Sequence, residues 1–271
     1  MLTGEATPPL SADRPPAEDE EMAMTLLGIH FDLAGGVDEI RSLEIGRHPG
    51  WGLADLVDGI ANAMPPKLER LFLGRCNLEV DRLSWMPLGD CEPLFDLPSI
   101  RELVFQGVGF QLGYANAPQL TKLELRVGAL STQSLAAIFA AELPALTSLT
   151  LWLGGSESDD DDDEPIGCEE LEPLFEGGIF PKLTHLGIEN TVLSRAFALR
   201  LATSPLLARL ESLSFSRGTL CRCWSQLADV APAFAHLRSL DVSFNNIPES
   251  ELANWQGLAQ EVISDQDGRE G

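Results

Sequence analysis

The chain has 271 residues, 44% of them apolar, which is enough for one large core or two small ones and argues against global disorder. It carries 18 basic and 42 acidic side chains, a formal charge of −24, so its surface repels phosphate backbones and anionic lipid headgroups. We therefore expect no nucleic-acid and no membrane partner. No apolar stretch reaches the length of a membrane-spanning helix.

The N-terminus lacks the basic start and apolar run of a secretory signal. The cysteines are odd in number and scattered, which is unlike a disulfide framework. Both observations favour a reducing cytoplasm. The five are Cys76, Cys91, Cys168, Cys221 and Cys223.

Residues 1–22 are rich in Pro, Ala and acidic side chains and are expected to form a disordered tail. The apolar segment 24–31 is expected to be a strand that caps the following domain, which we place at residues 23–263. Residues 249–262 carry an apolar stripe and predict a helix that closes the other end. Residues 264–271 are expected to be a second disordered tail.

One motif, apolar-x-x-Leu-x-apolar, recurs along most of the chain at an average spacing of about 28 residues. Its fourth position is Leu in every copy. In a strand, alternate side chains point to opposite faces, so the leucines at positions four and six point inward together. Stacked copies then build one continuous core. The copies begin at Ile40, Leu68, Ile100, Leu120, Leu146, Leu183, Leu210 and Leu237.

The stretches between the motifs leave room for a helix in most copies. Apolar residues at helical spacing predict helices at 53–64, 194–203 and 224–235. Ser131 precedes another apolar stretch and predicts a capped helix there. The predicted architecture is α/β, with a parallel concave sheet of about eight strands and helices on the convex side.

Two spacings are unusually long. The first contains residues 83–90, and the second contains residues 157–164, of which seven are acidic. We interpret the second as a solvated loop inserted at 156–165. Weak Ca²⁺ binding and docking of a basic partner are the alternatives, although the run lacks the glycine and the carboxylate spacing of an EF-hand loop.

These features resemble the leucine-rich repeat family, template L-x-x-L-x-L-x-x-N/C-x-L, from about residue 24 to 262. The resemblance implies a short horseshoe of the ribonuclease-inhibitor type. The template's asparagine at position nine is matched only by Asn245. Four local motifs are also similar to an uncharacterised bacterial, cytosolic leucine-rich repeat family, which implies no chemistry. They are Trp51-Gly52, Phe72-Leu73-Gly74, Ser84-Trp85 with Gly89-Asp90, and Leu151-Trp152-Leu153-Gly154.

The sequence contains no recognisable catalytic constellation, so we expect a protein that is not an enzyme and has no cofactor or metal. The four histidines lack the spacing of a zinc hydrolase. Cys221 and Cys223 form a CxC pair without a second pair that would complete a metal site. An enzyme or accessory subunit that uses this pair remains one alternative, and a calcium-responsive protein that uses the acidic run remains another.

Function in this architecture usually lies on the concave sheet. The side chains at positions three, five and seven should line it, and bulky or charged ones concentrate in the middle repeats. We expect Arg126 to adjoin an exposed Trp152, a pair typical of binding hot spots. The candidate partner-binding residues are Arg70, Phe72, Glu102, Lys122, Glu124, Arg126, Trp152, His185 and Glu189. The expected function is a monomeric scaffold or adaptor that binds a protein partner.

Overall fold

The computed structural model describes residues 40–46, 53–75, 86–154, 166–221 and 223–266. The expected tail 1–22, the capping segment 24–31, the acidic run 157–164 and Cys76 lie outside these residues. The described chain forms ten parallel strands. They are β1 (Ser42–Gly46), β2 (Arg70–Arg75), β3 (Pro87–Asp90), β4 (Glu102–Gln111), β5 (Lys122–Val127), β6 (Ser148–Gly154), β7 (His185–Thr191), β8 (Ser212–Ser214), β9 (Ser239–Asp241) and β10 (Glu261–Ile263).

All eight predicted strands are present, and each begins at the third position of its motif. They pair in chain order, with β3 attached beside β4, so the sheet is wide, parallel and open. The leucines at position four are register partners across the sheet: Leu43, Leu71, Leu103, Leu123, Leu149, Leu186, Leu213 and Leu240.

Helices follow most of the strands. They are α1 (Leu53–Ala63), α2 (Thr132–Ala140), α3 (Cys168–Phe175), α4 (Ser194–Ala202), α5 (Trp224–Leu227) and α6 (Glu249–Trp255). Ser131 caps α2 as predicted, since its side chain accepts a hydrogen bond from the Ser134 N–H. The helices α2 to α5 pack on one another in chain order, and the fold is therefore α/β and repeat-like. No helix in the described ranges is long and apolar enough to cross a membrane.

Two predicted helices are shorter than expected. The predicted helix at 224–235 ends at Leu227 and continues as a 3₁₀ turn, Ala231–Phe234, because Pro232 cannot donate a main-chain hydrogen bond. The predicted helix at 249–262 ends at Trp255, and Gly257 turns the chain with a φ of +86°. The chain then forms β10 in place of helix.

The prediction of about eight strands falls short by two. β10 places Val262 opposite Leu240, at position four of the motif, where the other copies have leucine. Residues 259–266 are thus a shortened ninth copy. The other additional strand, β3, pairs with the second half of β4, where the sequence predicted only an insertion.

The core is one continuous cluster that runs the length of the sheet, from Leu43 at one end to Ala259 at the other. Aromatic rings fill it where the long strand β4 pairs with β3. Phe105 lies between Phe95 and Phe110, with ring centroids 6.3 and 5.3 Å apart. Because β1 to β9 contribute inward leucines to the same cluster and β10 contributes Val262, each copy covers the apolar face of its neighbour.

A buried amide joins the last copies of the motif. The Asn245 side chain is fully buried, and its Nδ2 donates to the carbonyl oxygens of Phe215 and Val242 at 2.8 and 3.0 Å. Its Oδ1 accepts from the Leu220 N–H at 3.0 Å. Asn245 therefore satisfies main-chain groups in its own copy and in the preceding one.

Gln266 repeats this arrangement in the ninth copy. Its Oε1 accepts from the N–H groups of Asn245 and Ile247 at 3.1 and 3.0 Å. Its Nε2 donates to the Val242 carbonyl at 3.0 Å. The two side chains form consecutive rungs of an amide ladder at the C-terminal end of the sheet.

Leu123→Ala should lower the free energy of unfolding by about 2–5 kcal/mol, because it removes a fully buried leucine from a packed core. Ser148→Ala, on the other side of the neighbouring strand, should change it by less than about 0.5 kcal/mol. Urea denaturation measures both. Equal losses would show that the inward register is wrong.

Asn245→Ala should lower the free energy of unfolding by at least about 2 kcal/mol, because it leaves several buried main-chain groups without partners. The matched control is Asn254→Ala on the exposed side of α6, for which a change within about 0.5 kcal/mol is expected. A small loss for Asn245→Ala in thermal and urea unfolding would contradict the role of the ladder.

Candidate binding face of the parallel sheet

The side chains that alternate with the core leucines lie on the opposite side of the sheet. We call this side, made by positions three, five and seven of β1, β2 and β4 to β9, the polar face. Position three forms one row of register partners across eight strands. In order, the row is Ser42, Arg70, Glu102, Lys122, Ser148, His185, Ser212 and Ser239.

The other candidate residues lie in two parallel rows. In the position-five row, Phe72 and Glu124 flank Val104 as register partners. In the position-seven row, Trp152 is the register partner of Glu189. All nine candidate residues thus lie on the polar face, between β2 and β7.

Glu124 lies at the centre of this face, and its side chain is only 9% exposed. Lys122 Nζ lies 3.0 Å from one carboxylate oxygen, and Arg126 Nε donates to the other at 2.5 Å. Burial by itself raises the pKa of Glu124. The attraction and hydrogen bonds of Arg126 and Lys122 outweigh burial, so the pKa lies below its ordinary value.

The environment of Trp152 differs from the expectation. Its side chain is nearly buried, with the residue 5% exposed, and its indole N–H donates to Glu189 Oε2 at 2.9 Å. The arginine over its ring is Arg217, at 5.6 Å from the centroid, and not Arg126, which is held by Glu124. The expected exposure of Trp152 is therefore wrong, and the arginine over its ring is not the expected one.

The Arg217 guanidinium also lies over the ring of Phe244, at 4.6 Å from the ring centroid. Sequence analysis missed both residues, since they occupy position eight, beyond the alternating strand. Position eight is distinguished by its backbone conformation, because its main chain is left-handed in three consecutive copies. These residues are Asn190, Arg217 and Phe244, with φ of +49°, +58° and +56°.

The left-handed position lets each of these residues donate its N–H to position seven of the next copy. The acceptors are the carbonyl oxygens of Ser216, Ser243 and Asp265, at 3.1, 3.0 and 2.7 Å. A left-handed conformation is costly for residues other than glycine. Here the hydrogen bonds between copies hold it, and they direct Arg217 back towards Trp152.

The two ends of the polar face differ in chemistry. Towards β2, Phe72 lies under the Arg75 guanidinium, at 5.7 Å from the ring centroid, and Arg75 also pairs with Glu44. His185 on β7 is exposed, with Nδ1 at 2.8 Å from Thr184 Oγ1. Towards β9 the face carries mainly serine, so bulky and charged groups concentrate between β2 and β7.

The CxC pair lies before α5. Cys221 is exposed, whereas Cys223 is buried and burial raises its pKa. A raised pKa lowers the thiolate fraction, the opposite of what a nucleophilic cysteine needs. Within the described ranges no three His, Cys, Asp or Glu side chains are grouped so as to hold a metal ion.

Glu124→Gln should lower the free energy of unfolding by about 1 kcal/mol at pH 7, because the charge-assisted bonds from two half-exposed cations are weakened. The folded pKa of Glu124 is depressed, so the stabilisation is present at neutral pH and is lost as the pH falls from the ordinary carboxylate range through the lower folded pKa. Urea unfolding of both proteins at pH 7 and pH 3 measures the difference. A constant difference would contradict the depressed pKa.

No family model and no curated protein matches this chain. Ten chains of solved structures are similar to it. One is the crystal structure of a protein from Bacteroides fragilis, which is 24% identical, has a TM-score of 0.76, and aligns over 92% of this chain and 70% of that chain. At this identity the similarity concerns the fold alone, and it agrees with the repeat-like α/β architecture.

Proposed function

We propose that the chain is a leucine-rich repeat protein of the ribonuclease-inhibitor type, in which the sheet is the concave wall of a short solenoid. The in-register leucines, the spacing of about 28 residues and the helices between strands support this proposal. The amide ladder of Asn245 and Gln266 supports it further, because it joins turns of successive copies. The four short motifs noted in the sequence favour the uncharacterised bacterial family.

Within this architecture, we propose a non-enzymatic interaction module that binds a protein partner through the polar face. One observation carries the proposal: a row of polar side chains stays in register across eight strands. Such a row offers a partner a continuous surface with fixed spacing, which no single loop could provide. A protein partner fits its length better than a small ligand, which needs a concave pocket.

The part between β2 and β7 is the proposed contact region. Arg70 and His185 are exposed there, while Lys122 and Arg126 are held in position by Glu124. Preorganised side chains lose less entropy when a partner binds. The proposed state is a monomer, and the free thiols of the described cysteines favour a cytoplasmic location.

The double variant Arg70→Ala/His185→Ala should capture at least about tenfold less of the partner, since it removes two exposed side chains from the row. The assay compares immobilised wild type and variant in a lysate of the native host, with quantification by mass spectrometry. Circular dichroism and melting temperature should not change, because neither side chain contributes to the core.

Two control variants define where the partner binds. Ser212→Ala/Ser239→Ala changes the serine end of the same row, and Lys182→Ala removes an exposed cation outside the sheet. Both should retain capture. Full capture by the Arg70/His185 variant would refute the polar face as the binding surface.

A further inference from the structure

The polar face carries similar numbers of acidic and basic side chains, but the basic ones extend further from the sheet. Positions three, five and seven of the strands carry five carboxylates, and four of them are already engaged within the face. Glu44 is paired with Arg75, Glu124 with Lys122 and Arg126, Glu189 with the Trp152 indole N–H, and Asp241 with the Ser243 N–H. Only Glu102 has no such partner within the described ranges.

The cationic groups of the same face reach further out. Arg70 is exposed and makes no ion pair within the described ranges. The side chains of Lys122 and Arg126 remain 39% and 37% exposed, although the carboxylate they share is 9% exposed. His185 adds an exposed ring with an N–H donor. A partner that approaches the sheet therefore meets donors first.

These donors have a regular spacing. Arg70, Lys122 and His185 lie in one row on β2, β5 and β7, and each is separated from the next by one intervening strand. Strands lie about 4.8 Å apart, so the row offers a donor roughly every 10 Å. Residues seven apart on an α-helix lie on the same face and are about 10.5 Å apart along its axis, which is close to the spacing of the donors.

We propose that the polar face binds an acidic α-helix of a partner protein. The helix lies across the strands, and its carboxylates, which are seven residues apart, contact Arg70, Lys122 and His185. This inference rests on the proposed function and specifies its partner. The rest of the molecule strengthens the selectivity, since a chain with a net charge of −24 repels an acidic segment elsewhere on its surface. A continuous polyanion such as a nucleic acid would extend off the face onto this repulsive surface.

The test uses synthetic helical Ala/Gln peptides with a fluorescent label and the full chain. One peptide carries three Glu seven residues apart, a second carries them five apart, and a third carries Gln in their place. Fluorescence anisotropy should show saturable, salt-sensitive binding of the first peptide, at least about fivefold tighter than that of the second. The third peptide and a single-stranded oligothymidylate should not bind.

Variants of opposite sign make the test sharper. Arg70→Gln and His185→Gln should each lower the affinity for the first peptide by about fivefold, the loss expected for one ion pair or hydrogen bond. Glu102→Gln should raise the affinity for this peptide, because it removes a carboxylate that lies between Arg70 and Lys122 in the row. Lys182→Gln, outside the sheet, should leave it unchanged.

Three outcomes would overturn the inference: equal binding of the Gln peptide, equal binding of the oligothymidylate, or no response to the row variants. Tenfold tighter binding by a variant that lacks residues 158–163 would also overturn it, because the chain's own acidic run would then be the occupant. If the row variants abolish capture from lysate while no acidic peptide binds, the inference fails and the proposed function stands. If they leave capture intact, both fail.

Discussion

The stacking of leucines at position four is the interaction on which the rest of the structure depends. Eight of these side chains are register partners on neighbouring strands from β1 to β9, and all eight are buried in one continuous core. No single copy could bury its apolar side alone, so the sheet exists only as a stack. Because side chains alternate along a strand, the same constraint fixes which residues form the polar face.

Much of the fold could be predicted because the repeated leucine determines strand position and register together. The ninth copy escaped prediction because Val262 stands in the place of leucine and Ser264 in the place of the second apolar residue. The boundaries of helices were less predictable. Apolar spacing over 224–235 indicated one helix, but its second half is a 3₁₀ turn that contains Pro232. At Gly257 a turn replaced the expected continuation of the last helix.

For the candidate site, the sequence predicted which residues lie on the polar face but not how deeply their side chains are buried. Alternation correctly assigned Arg70, Lys122 and His185 to one side of the sheet. Alternation gave no information on how deeply each side chain is buried: Trp152 is nearly buried, and the guanidinium over its ring belongs to Arg217, 65 positions further along the chain. The left-handed main chain at position eight directs that arginine back across the sheet, and no local pattern in the sequence specifies this geometry.

Successive copies are also joined by side-chain hydrogen bonds, and the chemistry of these bonds changes along the sheet. Asn245 and Gln266 cross-link the turns of the last copies, whereas position nine of two middle copies is Gly128 and Gly154, which have no side chain to form a rung. Between β4 and β7 the threonines at position two take this role, because each donates its hydroxyl to the position-two carbonyl oxygen of the preceding copy. These residues are Thr121, Thr147 and Thr184. The strands that carry Lys122 and His185 are thus joined by side-chain as well as main-chain bonds, so a binding partner would have to match the spacing of these donors rather than change it.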